Sequence, residues 1–251
     1  NILGQRMGRF ETTELYRILT ESGIKIGMQL PCGCSVEEII QAPSAGVNLV
    51  LDETALPLAR KMKEVFGTPY IRFERFIDPQ RIWEAYQMLF DALQRELPPQ
   101  LEENYKKAQK CVEQVKEKLF GIGYIYGNTP FHCLELNAFL CRIGMIPQLI
   151  QTAQIEPEQE KDYLQEILSK TNPYVTKSAN IAPLQSLYDV LHPHLYLGHE
   201  YPARLRKKGM AVVRCDAASS MLGFEVTEFM LSQLANATEE AHQYRKEVGL
   251  R

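Results

Sequence analysis

The sequence lacks any apolar run approaching the roughly 20 residues that cross a bilayer, and no stretch near its start reads as a secretory signal. It lacks an excess of positive charge. Its 28 Lys and Arg stand against 31 Asp and Glu, a formal net charge of −3, which argues against a protein that grips nucleic acid through a basic face. It lacks paired CxxC motifs, so its six cysteines do not spell a zinc module, and free thiols are the default. It also lacks a nucleophile elbow, a Walker loop, a dinucleotide GxGxxG and an HExxH. Gly121-Ile122-Gly123 precedes its strand, the wrong context for a dinucleotide loop.

What the sequence contains is an alternation of short β-branched runs and amphipathic helices. Residues 2–4, 24–28, 47–51 and 70–73 read as strands. Residues 12–22 carry Leu15, Ile18 and Leu19 on one helical face, with Gly23 at the stop. Ser35 and Glu38 make a capping box for a short helix, and residues 54–66 form another. A further helix runs from Pro79 to about Leu93. From Leu101, apolar residues step by four and three through Tyr105, Ala108, Val112, Val115 and Leu119, which is one long amphipathic helix. The rhythm then restarts, with strands at 124–126, 146–151, 174–176, 195–197 and 210–214. Helices are expected at 158–170 and 183–191, and a closing one from Val226 to about Lys246. This pattern predicts an α/β protein. It would have two Rossmann-like domains with parallel sheets and helices on both faces, joined by a long helix, with a cleft at the strand carboxyl ends. The expected division is 1–97, a bridging helix over 98–120, and 121–251. Glu14-Leu15-Tyr16-Arg17-Ile18-Leu19 echoes Glu135-Leu136-Asn137-Ala138-Phe139-Leu140, as two similar lobes would.

The stretch 123–145 reads as strand, tight turn and helix. Gly127 and Asn128 suit the turn, Thr129 an N-cap and Pro130 a first helical position. A helix rising straight off a strand end aims its free N–H groups at whatever lies over the sheet. It is either a place to hold an anion or cofactor, or plain scaffold. Ligands of open parallel sheets sit outside the carboxyl ends of the strands. The residues following those ends are Cys32 and Cys34; Asp52 and Glu53; Gly127, Thr129 and His132; Gly198, His199 and Glu200; and Cys215 and Asp216. Metal-ligand types and candidate acids and bases therefore collect on one edge. Cys111, Cys133 and Cys141 fall in helices and read as small buried residues. His192-Pro193-His194 precedes a strand, so it is expected at the opposite edge as a surface turn, and His242 as solvated.

Several stretches taken together carry a resemblance: residues 45–51 (AGVNLVL), 63–70 (KEVFGTPY), the turn at 124–132, and Gly198-His199-Glu200 followed by Lys208-Gly209-Met210. Their order and spacing resemble the second and third domains of the component 1 subunits of nitrogenase and of its relatives, such as the dark-operative protochlorophyllide reductases. The resemblance covers nearly the whole chain. It implies an oxidoreductase subunit with a metal cluster or substrate in an interdomain cleft, fed with electrons by an ATP-dependent iron–sulfur reductase. It implies pairing with a homologous component 1 subunit, a cytoplasmic location, and no nucleic acid or membrane partner. It further implies an upstream domain, so that this stretch alone would be inactive. Where the catalytic nitrogenase subunit has a cysteine ligand, an arginine and a histidine ligand, this sequence has Asp52, Thr129 and Cys215. These departures imply a different cluster or substrate in the same cleft.

The resulting expectation places cofactor contacts at Gly127, Asn128, Thr129, His132, Gly198, His199 and Glu200, and metal contacts at Cys32, Cys34, Asp52 and Cys215. The cofactor would be an iron–sulfur or related cluster in the full-length protein. The alternative is a non-catalytic scaffold for metal-cluster or tetrapyrrole assembly. A two-lobed glycosyltransferase or solute-binding protein is a further reading. It would need basic groups at the cleft, for which Arg6 is the one evident candidate.

Overall fold

Strands β1 (Ile2–Gln5), β2 (Gln29–Pro31), β3 (Asn48–Val50) and β4 (Tyr70–Arg72) pair in parallel in the order β2-β1-β3-β4. They come from a computed structural model that describes residues 1–5, 10–127, 129, 131, 133–152, 161–177 and 182–250. Side chains alternate across a strand. Ile2, Leu49 and Ile71 therefore join one apolar cluster, while Leu3 and Val50 join another with Leu56, Ala59 and Met62. A strand buried on both faces needs a helix layer on each. The layers are supplied by α1 (Glu14–Glu21), α3 (Leu56–Phe66), α4 (Pro79–Ala92) and the long α5 (Pro99–Leu119), while α2 (Val36–Gln41) is exposed along its length. Each fully buried Leu, Ile or Phe contributes roughly 2 kcal/mol through removal from water.

The strand expected at 24–28 is found directly after that run, at Gln29–Pro31. Its ladder with β1 opens at Ile2 opposite Gln29, and of the expected run Met28 joins it by accepting the Ile2 N–H at 2.8 Å. Ile24 and Ile26 still pack against the core. The capping box on α2 is present, with Ser35 and Glu38 exchanging hydrogen bonds.

A second sheet holds β5 (Gly123–Tyr126), β6 (Ile146–Gln151), β7 (Tyr174–Thr176), β8 (Leu195–Leu197) and β9 (Ala211–Val213), all parallel, in the order β7-β6-β5-β8-β9. Its helices are α6 (Cys133–Arg142), α7 (Lys161–Lys170), α8 (Tyr188–Leu191), α9 (Pro202–Arg206) and α10 (Phe224–Glu247). α6 starts at Cys133, three residues after the expected Pro130. The expected helix at 158–170 begins within 153–160, outside the described residues. At 183–191 a 3-10 turn, Ala182–Leu187, precedes α8.

The chain divides into two compact units. One is Asn1–Gln109 with Ala218–Thr227, and the other is Lys110–Ala217 with Glu228–Arg251. The first turn of α10 thus belongs with the first sheet and the rest of that helix with the second. Strand order reverses between β1 and β3 in one sheet and between β5 and β8 in the other, and such reversals open a crevice at the carboxyl ends.

Candidate functional site

In the second unit the switch point lies between the ends of β5 and β8. Gly127 follows β5, and its N–H donates to the Leu197 carbonyl at 2.7 Å. A Cβ on Gly127 would strike the Tyr196 hydroxyl and come within 2.8 Å of its Cζ, so the close approach requires glycine. Burial and the nearby Glu200 push the Tyr196 phenol up to about 12. Thr129 Oγ1 is 2.7 Å from the Tyr126 hydroxyl and accepts from the Phe131 N–H at 3.3 Å. Its side chain therefore shapes the turn. The base of α6 is tied to β5 by a buried pair of bonds. The Tyr124 hydroxyl donates to Asn137 Oδ1 at 2.7 Å, and Asn137 Nδ2 donates to the Cys133 carbonyl at 2.7 Å. Asn128 and His132, both expected contacts, lie outside the described residues.

Past β8 the expected trio separates by role. The Glu200 carboxylate is nearly buried and accepts from Gln185 Nε2 (3.0 Å), the Tyr201 N–H (2.7 Å), the Tyr188 hydroxyl (3.4 Å) and Arg204 Nη1 (3.3 Å). It organises the loop into α9. His199 is exposed, with Nε2 3.2 Å from Asp216 Oδ1, so it links the loops after β8 and β9. Cys215 is buried and its Sγ donates to the Val213 carbonyl at 3.4 Å. Burial and the adjacent Asp216 push the thiol up to about 12, against the pull of the Gly198 backbone N–H.

In the first unit Cys32 is exposed, and Cys34 is half-buried against the smaller apolar cluster. Asp52 caps the turn into α3, accepting from the Thr54 N–H at 2.9 Å and from the Thr54 hydroxyl. The end of β4 belongs on the same carboxyl edge, though its residues are not among those expected from sequence. There Arg72 Nε and Nη2 grip Glu74 at 2.7 and 2.8 Å, and Arg75 Nε donates to the Ser219 carbonyl at 3.1 Å. A sequence signal exists: Phe73-Glu74-Arg75-Phe76-Ile77 sets charges inside an apolar run straight after a strand. Burial lowers the Arg75 pKa, while the field of Asp52 works the other way.

Two cavities lie elsewhere. One of about 330 Å³ is lined by residues that precede β2 and β3, among them Ile24, Lys25 and Val47. The other, of about 510 Å³, is lined by the ends of α1 and α4 and by Leu97–Pro99. The His192–His194 turn also sits at the amino edge, where the His194 N–H bonds the Gly123 carbonyl at 2.8 Å. Burial, Arg245 and His242 lower the His194 pKa to about 4. His242 is exposed as expected.

Residues 1–239 match the family of nitrogenase component 1 type oxidoreductases. The chain belongs to that family. Over 62 residues it is 42% identical to one of the subunits of the light-independent protochlorophyllide reductase of Nostoc punctiforme, covering 24% of this chain and 12% of that protein. Over 76 residues it is 37% identical to the corresponding protein of a Synechococcus species, covering 28% and 15%. A solved nitrogenase Cp1 structure at pH 6.5 superposes with a TM-score of 0.76 at 15% identity, over 98% of this chain and 60% of that one. A second, at pH 5, gives 0.64 at 17% identity, over 90% and 53%. This chain therefore spans little more than half of those nitrogenase chains, and the matched stretches are under a sixth of the reductase proteins.

Members of the component 1 family carry metal clusters, so the donor set here has to be weighed against one. Among the described residues no three His, Cys, Asp or Glu side chains gather to hold a metal. Asp52 is engaged in capping and stands in the field of a guanidinium, which opposes a metal cation there. Cys215 is buried, its Sγ donating to the Val213 carbonyl of its own strand, so a metal there would have to displace both that bond and the proton. As they stand, these side chains do not fit a thiolate-ligated cluster. No helix of the described residues is long and apolar enough to cross a membrane.

Proposed function

We propose that this chain is part of a nitrogenase-like reductase. In this reading a reducible organic substrate lies in a cleft at the strand carboxyl ends, and the electrons come from an ATP-dependent iron–sulfur reductase. A homologous component 1 subunit would complete the assembly, and the protein would be cytoplasmic. Family membership over residues 1–239 carries the reading. It is supported by the topological switch point between β5 and β8, after which Gly127, Thr129 and Gly198 stand at the strand carboxyl ends. The poor fit of Asp52 and Cys215 to a cluster favours a substrate over a cluster as the occupant, with iron–sulfur chemistry held by other parts of the assembly. The chain's own share is to position the substrate and exclude water.

The same poor fit favours, as a second reading, a scaffold that holds a tetrapyrrole or a cluster in assembly without turning it over. One experiment separates the two. The full-length protein is purified anaerobically, and ATP-dependent reduction of protochlorophyllide is measured with an iron–sulfur reductase partner. Turnover that depends on ATP and partner is the expected result. Pigment binding with no turnover under those conditions would overturn the reductase reading in favour of the scaffold.

A further inference from the structure

On the segment after β4, Phe73, Glu74, Phe76 and Ile77 are buried, and Arg75 sits half-buried among them. Its guanidinium is fixed along one side by the bond from Nε to the Ser219 carbonyl. Among the described residues its terminal nitrogens have no hydrogen-bond partner. The nearby acids are committed elsewhere. Both oxygens of Glu74 hold Arg72, and Asp52, whose field reaches Arg75, caps Thr54. Arg81, in the first turn of α4, lies 4.8 Å over the Phe76 ring, with Nη1 3.4 Å from Glu84 and a buried Nε that has no hydrogen-bond partner among the described residues. A partly desolvated cation such as Arg75, retained without a dedicated carboxylate, is costly. A guanidinium anchored at Nε and open at its terminal nitrogens is pre-set to receive a planar oxyanion in two parallel bonds.

We propose that Arg75 is the anchor for an oxyanion, the carboxylate or phosphate of an organic ligand, at the carboxyl edge of the first sheet. The inference rests on reading that edge as the ligand edge, and it names the chemistry the ligand must bring. It neither requires nor places a metal.

The test is titration of the 251-residue chain with sodium propionate and, separately, with inorganic phosphate, at constant ionic strength. The readouts are the Arg75 side-chain N–H resonances and the shift in Tm. Saturable movement of the Arg75 signals with one or both anions is expected, and which anion acts identifies the source. Arg75→Gln should weaken that anion at least tenfold. Arg75→Lys, which keeps the charge without the fork, should fall between. If Arg75 serves only to hold residues near Ser219, both variants lower Tm while anion binding stays at the wild-type level, and the proposal fails. It also fails if neither anion moves the Arg75 signals of the wild-type chain, a result that does not depend on either variant folding. Anion binding needs no partner, ATP or iron, so failed turnover with intact binding would count against the reductase reading alone.

Discussion

Glu14 and Glu225 cap each other's helices. The Glu14 carboxylate accepts the N–H groups of Phe224 and Glu225 at the start of α10, each at 3.2 Å, while Glu225 Oε1 accepts the Glu14 N–H at the start of α1 at 3.0 Å. Glu225 Oε1 also takes the Leu222 N–H at 3.0 Å, and the Tyr86 hydroxyl approaches Glu14 at 3.3 Å. Two helix N-termini, each with unpaired donors and a positive dipole end, are thereby satisfied together.

This arrangement makes stability depend on pH. Burial pushes the Glu14 carboxyl from its usual 4.5 up to about 7, with Glu225 adding to the rise and the two backbone donors opposing it. Between those values the folded chain holds a proton that the unfolded chain has lost. The contribution is therefore complete below pH 4.5 and is lost as pH rises through 7, a change of up to about 3 kcal/mol. Urea denaturation at about pH 5, 6 and 7.5 should show this decline, and Glu14→Gln should flatten it. Equal slopes in wild type and variant would refute the assignment.

Gly223 makes the exchange possible. Its φ is +102°, and a Cβ there would lie 2.8 Å from both Glu14 Oε1 and the Tyr86 hydroxyl. Gly223→Ala should cost about 2 kcal/mol or more through strain and crowding. Combined with Glu14→Ala, the two losses should sum to less than their separate values, as chemical denaturation of the four proteins would reveal.

Glu200 and His199 are adjacent but should respond very differently. Glu200→Ala strands four donors and should destabilise by about 2–4 kcal/mol. The His199–Asp216 pair is 65% and 73% exposed, and His199→Ala should cost less than about 1 kcal/mol. Thermal unfolding of the two variants compares them directly. A stable Glu200→Ala protein would show that the carboxylate does not organise the loop.

Alkylation should separate the cysteines. Near pH 8 a thiol with a pKa of about 12 is thiolate in about one molecule in 10⁴, and Cys215 is in addition buried. Iodoacetamide followed by mass spectrometry should label exposed Cys32 in the native chain and Cys215 only after unfolding. Native labelling of Cys215 would return it to the set of candidate metal ligands.

The α/β alternation was legible because most strands are short apolar runs followed by a patterned helix such as α1 or α3, and that pattern is local. The echo between Glu14 and Glu135 was legible for the same reason. Each lies in the first turn of the helix after the leading strand of its sheet, and each is buried. The bond between Glu14 and Glu225 was not legible, since 211 residues separate them and neither flanking sequence marks the other. The displacement of β2 was hidden because Ile24 and Ile26 have a strand's alternation but pack without a ladder. At the site, glycines and polar residues after strands could be read directly. Whether Glu200 is free to meet a ligand depends on Gln185, Tyr188 and Arg204, which no spacing rule connects to it. Arg75 escaped notice because its significance lies in what Ser219 does, far along the chain.

The return of residues 218–227 to the first sheet has a consequence for biosynthesis. Phe224 lies 5.7 Å from the Tyr86 ring and 5.9 Å from Tyr105, which itself stacks on Trp83 at 5.0 Å. As the chain leaves the ribosome, the β1–β4 sheet can form early. Its aromatic layer and the end of α1 stay uncovered until the whole β5–β9 region has followed. The half begun first therefore waits for its last segment until nearly the whole chain is made, and a nascent chain halted before Phe224 would expose Tyr86, Tyr105 and the unsatisfied N-terminus of α1.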